Sequence, residues 1–81
     1  MTQSRPRVAV VTGAGSGIGR AVAHALMSRG YAVALLGRTA ASLEATGSGA
    51  RGSSLVVPAD VSDETQVASA FDAVLARWGR V

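Results

Sequence analysis

Apolar positions along this chain alternate between short unbroken runs and longer stretches with helical spacing. The runs are Val8–Val11, Tyr31–Leu36 and Leu55–Val57. They are built from β-branched and other apolar residues and each gives way to polar, glycine or proline positions, as strands buried on both faces do. After the first run, Ile18, Val22, Ala25 and Leu26 recur at helical spacing, with Arg20, His24 and Met27 off that stripe. Ser16 or Gly17 begins this helix, and Arg29 followed by Gly30 suits its C-terminal end. Ala40–Ala45 predicts a short helix with Leu43 as its one large apolar contact, and Gly47–Ser54 reads as a loop. A last helix is predicted from about Asp63 to Arg77. Its stripe is Val67, Phe71, Val74, Leu75 and Trp78, with Ser62 as N-cap and Gly79 as stop. Met1–Arg7, polar and containing Pro6, reads as a loose tail.

The resulting order is β-α-β-α-β-α. Strands alternating with helices predict a parallel sheet joined by right-handed crossovers, with helices on both faces and strand order 3-2-1. The fold class is therefore α/β: a Rossmann-type three-layer α/β/α half-domain spanning residues 1–81.

Candidate chemistry lies between the first strand and the first helix. Gly13, Gly15, Gly17 and Gly19 stand on alternate positions, a composition that costs conformational entropy beyond what a plain turn needs. The first amides of a helix have no intrahelical partner and point outward into the positive end of the helix dipole, so a glycine-lined helix start suits a pyrophosphate. The strict Gly-x-Gly-x-x-Gly spacing is absent, because Ile18 and Arg20 stand where the last glycine would fall. A Walker A loop is excluded because the chain has no lysine. What stands here is Thr12-Gly13-Ala14-Gly15-Ser16-Gly17-Ile18-Gly19, or Thr-Gly-x-x-x-Gly-x-Gly. His24, the only histidine, has no visible metal-ligand partner and reads as a solvated helix residue.

The end of the second strand narrows the ligand. In a dinucleotide-binding unit an acidic residue there binds the ribose 2′-hydroxyl, whereas an arginine accommodates a 2′-phosphate. Gly37 occupies the acidic position and Arg38 follows it. A planar guanidinium binds phosphate bidentately and stacks on adenine. NADP(H) is thus the expected cofactor, with NAD(H) possible, Arg38 as main reader and Thr39 as a second donor. Arg51 in the following loop reads as solvent-exposed.

Composition excludes other classes. Hydrophobic residues at 48% against 16% charged make a core-rich globular chain. The absence of cysteine rules out a disulfide frame and fits a cytoplasmic location. The net charge of +3 comes from scattered arginines without a basic patch, so no nucleic-acid partner is expected. Neither a signal segment nor a membrane span is evident.

Thr12–Gly19, the Gly37-Arg38 pair and Asp60-Val61-Ser62-Asp63 together resemble the short-chain dehydrogenase/reductase family over Val8–Val81. The resemblance implies cofactor contacts from Gly13, Gly15, Ser16, Gly17, Ile18 and Gly19. It also implies that Asp60 accepts from the adenine amino group and that the backbone of Val61 assists. The competing role for Asp60 is to stabilise the turn before the last helix. Family members are longer, often homo-oligomeric, and supply an Asn-Asn-Ala-Gly motif, a catalytic serine and a Tyr-x-x-x-Lys pair beyond this region. Here Tyr31 is the only tyrosine and is followed four positions later by Leu35, so no catalytic residue is expected in this chain. The resemblance thus implies the N-terminal, NADP(H)-binding portion of an oxidoreductase. The alternatives are a non-catalytic nucleotide-binding module, or a remnant that self-associates through an open sheet edge.

Overall fold

The computed structural model describes residues 7–48, 53–79 and 81. Six elements follow one another: β1 (Val8–Thr12), α1 (Gly17–Ser28), β2 (Ala32–Gly37), α2 (Ala40–Ser48), β3 (Ser54–Pro58) and α3 (Glu64–Trp78). The strands form one parallel sheet in the order β1-β2-β3, the expected neighbours. Val10 pairs with Ala34, and Leu35 with Val56. The tail expectation for Met1–Arg7 falls largely on residues 1–6, and Arg51 falls within 49–52, all outside the described residues. Arg7 itself is tied to the sheet, its carbonyl accepting from the Ala32 amide at 2.8 Å.

Strand β2 is central and buried from Ala32 to Leu36. Its side chains alternate between two cores, as the period of a strand requires. Val33 and Leu35 point to one face and pack with Val11, Ala14, Ala23, Met27 and Leu43, under α1 and α2. Ala32, Ala34 and Leu36 point to the other and pack with Val8, Ala70 and Val74, under α3. The result is the expected three-layer α/β/α arrangement. Fully burying a leucine such as Leu35 contributes roughly 1.5–3 kcal/mol, so this strand anchors both layers.

The helix faces differ from the expectation. In α1 the buried residues are Ala23 and Met27, while Ile18 is 84% exposed and Val22 is also exposed. The inward line is Gly19, Ala23 and Met27, four residues apart. A Cβ added to Gly19 would fall on the Gly13 carbonyl oxygen, so the helix approaches the strand end too closely for a large side chain. Next to the strand end the small Gly19 and Ala23 therefore face the sheet, with Met27 a turn further on, and Ile18 and Val22 are turned outward. In α3 the expectation holds in part: Val74 is buried and Trp78 partly buried, joined by Ala70, whereas Phe71 and Leu75 are exposed. Ala70 and Val74 pack in one cluster with Ala32, Ala34 and Leu36 of β2.

Several boundaries also move: β2 is shifted by one residue and β3 extends one residue at each end. Helix α2 runs to Ser48, three residues past the expected end, because Thr46 is drawn into the buried side with Leu43. Asp63, not Ser62, caps α3: its carboxylate accepts from the Thr65 and Gln66 amides. Ser62 is unavailable because its amide and hydroxyl both donate to Asp60. At the other end Gly79, at φ 75°, closes α3 as expected.

Candidate functional site

A cleft of about 260 Å³ opens where β1 and β2 end. Gly13, Gly15 and Ser16 line it from the β1–α1 turn, Gly37, Arg38 and Thr39 from the end of β2, and Ser42 and Leu43 from α2. The carboxyl ends of parallel strands are where open α/β sheets place ligands.

The turn is built to be bare. Gly13 and Gly17 hold φ of 63° and 58°, a left-handed conformation that glycine adopts without strain. A Cβ on Gly15 would meet the Ser42 Cβ at 2.9 Å, so α2 also closes on the turn, though less tightly than α1. Ser16 occupies the N-cap of α1 in an extended conformation, yet its side chain makes no capping hydrogen bond, and no acidic residue stands in the first turn. The helix start therefore keeps its positive potential, with a hydroxyl beside it that caps none of the helix amides.

The opposite wall is cationic. Arg38 is mostly exposed, and its Nη2 lies 3.7 Å from Asp60 Oδ1. Position 37 has little spare room: the Gly37 carbonyl accepts from the Ala59 amide at 2.7 Å, and an added Cβ would meet Leu43 Cδ2 at 3.1 Å. Asp60 Oδ1 also accepts from the Ser62 amide at 2.9 Å and the Ser62 hydroxyl at 2.6 Å. These donors hold the Asp60 carboxyl below its ordinary value, with Arg38 adding a smaller effect in the same direction. Asp60 thus does stabilise the turn before α3, the competing role the sequence left open.

Of the expected site residues, the structure gathers Gly13, Gly15, Ser16, Arg38 and Thr39 around the cleft and reaches Asp60 through Arg38. Gly17 and Ile18 sit at the helix start but do not line the cleft, and the Ile18 side chain faces solvent. Gly19 is packed against Gly13, and Val61 is exposed beyond Asp60. Gly37, named with Arg38 in the motif, also lines the cleft, and Ser42 and Leu43 are lining residues that the motif did not name.

Sequence reasoning also missed a layer behind the turn. Arg20 Nε donates to Thr46 Oγ1 at 3.0 Å, and Arg20 Nη2 donates to the Gly15 carbonyl. Thr46 Oγ1 in turn lies 2.8 Å from the Ala14 carbonyl oxygen. His24, expected to be solvated, is half-buried with Nε2 2.9 Å from the Thr46 carbonyl oxygen. A carbonyl only accepts, so Nε2 carries the proton. One signal was available: Thr46 is a polar residue three positions after Leu43, hence on the buried face of α2 and in need of partners.

A glycine-rich helix start facing a cationic strand end, on a parallel sheet, defines the class: one half of a Rossmann-type domain. The family model for short chain dehydrogenases matches residues 7–81, and the chain belongs to that family. Similar proteins include D-threitol dehydrogenase of Mycolicibacterium smegmatis, 41% identical over an alignment of 78 positions that covers 93% of this chain and 30% of that protein. Among solved structures, 3-ketoacyl-(acyl-carrier-protein) reductase from Brucella melitensis, complexed with NADH, superposes with a TM-score of 0.89 at 34% identity. That match covers 98% of this chain and 32% of the other. A short chain dehydrogenase/reductase from Burkholderia phymatum, in complex with NAD, gives 0.85 at 37% identity, covering 100% of this chain and 30% of the other. The chain thus spans about a third of the length of the relatives it matches.

Proposed function

We propose that this chain is the adenosine- and pyrophosphate-binding portion of an oxidoreductase that takes NADP(H) in preference to NAD(H). The observation that carries this reading is the cleft itself, with a bare helix start on one wall and Gly37-Arg38-Thr39 on the other. The α1 amides, assisted by the Ser16 hydroxyl, take the pyrophosphate. Gly13 and Gly15 let it approach the backbone. Gly17 shapes the turn, Gly19 lets the helix close on the strand, and Ile18 supplies a first-turn amide. Arg38 takes the 2′-phosphate, with Thr39 as a second donor. Asp60 accepts from the adenine amino group: its protein contacts fall on Oδ1, and Oδ2 is the acceptor offered to the base. The Val61 backbone assists.

The two relatives solved with NADH or NAD support the dinucleotide. The 2′-phosphate preference rests on this chain's own Arg38 and on glycine in place of an acid at position 37. In the complete enzyme of this reading, the bound nicotinamide exchanges hydride with a carbonyl or alcohol carbon. The Tyr–Lys pair that assists is not among these residues: the chain has no lysine, and Tyr31 packs against the core. The same reading makes the complete enzyme a cytoplasmic homo-oligomer. Among the described residues, no helix is long and apolar enough to cross a membrane.

Fluorescence titration with NADPH and NADH tests the cofactor reading. The chain is expected to bind NADPH at least about tenfold more tightly, a difference of about 1.4 kcal/mol. Arg38→Ala should erase that preference and leave NADH binding unchanged. Equal weakening of both would overturn the assignment of Arg38, and no binding of either would overturn the dinucleotide reading.

A further inference from the structure

Thr46 is a fully buried polar side chain in α2, and nothing in the glycine motif calls for it. Its hydroxyl has one proton and two nearby carbonyl acceptors, Ala14 at 2.8 Å and Ser42 at 3.2 Å. The shorter contact takes the proton, which leaves the oxygen lone pairs for Arg20 Nε at 3.0 Å. Arg20 reaches one peptide further with Nη2, which donates to the Gly15 carbonyl. Two consecutive carbonyls of the turn are therefore pinned toward α1 and α2 by a single network. A trans peptide is planar, with its C=O and N–H antiparallel. Fixing the Ala14 and Gly15 carbonyls aims the Gly15 and Ser16 amides away from the network. Without it, a turn with glycine at positions 13, 15 and 17 has many backbone conformations to choose from.

We propose that Arg20 and Thr46 are positioning residues for the pyrophosphate: they hold the β1–α1 turn with its amides outward and place a full positive charge behind it. The inference rests on the dinucleotide reading and deepens it. His24 belongs to the same network at one remove, because its Nε2–H holds the Thr46 carbonyl and so fixes this turn of α2 against α1.

The network acts on the pyrophosphate subsite and not on the 2′-phosphate subsite at Arg38, so two partial ligands separate it from a general stabilising role. ADP carries the pyrophosphate, and adenosine 2′-monophosphate carries only the 2′-phosphate. Affinity for each is measured calorimetrically for the parent chain, Thr46→Val, Thr46→Ser and Arg20→Met, with thermal melting alongside. Thr46→Val and Arg20→Met should weaken ADP by about tenfold, the scale of a lost charge-assisted hydrogen bond, and leave adenosine 2′-monophosphate nearly unchanged. Thr46→Ser, which keeps the hydroxyl, should restore ADP binding. Arg20→Lys, which keeps the charge but not the two-pronged contact, gives an intermediate loss and serves if Thr46→Val does not fold. Unchanged ADP affinity in folded variants, or parallel loss of both ligands, would overturn the positioning role while leaving the dinucleotide reading standing. A parent chain that binds neither ligand would overturn both.

Discussion

Helices α1 and α3 both begin a few residues beyond the end of a strand, yet their first turns are finished in opposite ways. At α3 the Asp63 carboxylate accepts from the Thr65 and Gln66 amides, and Glu64 adds a second acid to the first turn. Gln66 returns the favour through its side chain, which accepts from the Asp60 amide at 2.7 Å. The protein itself satisfies that helix end. At α1 the N-cap Ser16 makes no capping bond and no acid is present. Polar effort there goes instead into the rear of the turn, where Arg20 and Thr46 fix the carbonyls. One helix start is closed for stability. The other is left open at the front and braced from behind, the difference expected if the proposed anionic ligand sits there.

Breaking the open end should have the largest effect. Gly19→Ala drives a Cβ into the Gly13 carbonyl, which only a shift of α1 from β1 relieves. Expected are a loss of several kcal/mol, on the scale of severe overpacking, and dinucleotide binding weakened by about a hundredfold or more. Denaturant unfolding and fluorescence titration read the two effects.

Exchanging the two endings should give changes of opposite sign. Ser16→Asp provides α1 with the cap it lacks, so stability should rise by about 0.5–1 kcal/mol while dinucleotide affinity falls about tenfold through repulsion of the phosphates. Asp63→Ala should do the reverse at α3: a loss of about 1 kcal/mol, several degrees in Tm, with affinity unchanged. A Ser16→Asp variant that gains stability and keeps full affinity would remove the distinction between the two ends.

The smallest effect concerns the link between the walls. Asp60 is held below its ordinary value of 3.8 by the Ser62 donors and then by Arg38. A carboxyl depressed in the folded state contributes stability above its unfolded value, and that contribution is lost as pH falls through the folded one. Asp60→Asn should therefore lower stability slightly at neutral pH, with the difference from the parent chain shrinking as pH falls below about 4. A stability difference that persists undiminished at low pH would contradict the assignment.

The sequence made the element order, the sheet neighbours and the glycine turn legible, because each is written locally. Val8–Val11 followed by alternating glycines can be read without knowing what lies opposite. The helix faces could not. Apolar size pointed to Ile18 and Val22, but the close approach of α1 to β1 selected Gly19 and Ala23, and only the packing reveals that distance. The cap of α3 was misread by one residue because Ser62 and Asp63 are both good caps, and the Asp60 carboxylate decides between them. The brace was invisible for a different reason: its hydrogen bonds join residues 26 and 32 positions apart.

The central claim is that the α1 start, and not the α3 start, receives the ligand. Backbone amide shifts of the isotopically labelled chain, followed during titration with 2′,5′-ADP, test it most directly. The account predicts the largest shifts at Gly15–Gly19, with further shifts at Arg38 and Thr39, and none at Thr65 and Gln66. Shifts centred on the α3 start, or spread evenly over the arginines, would contradict it.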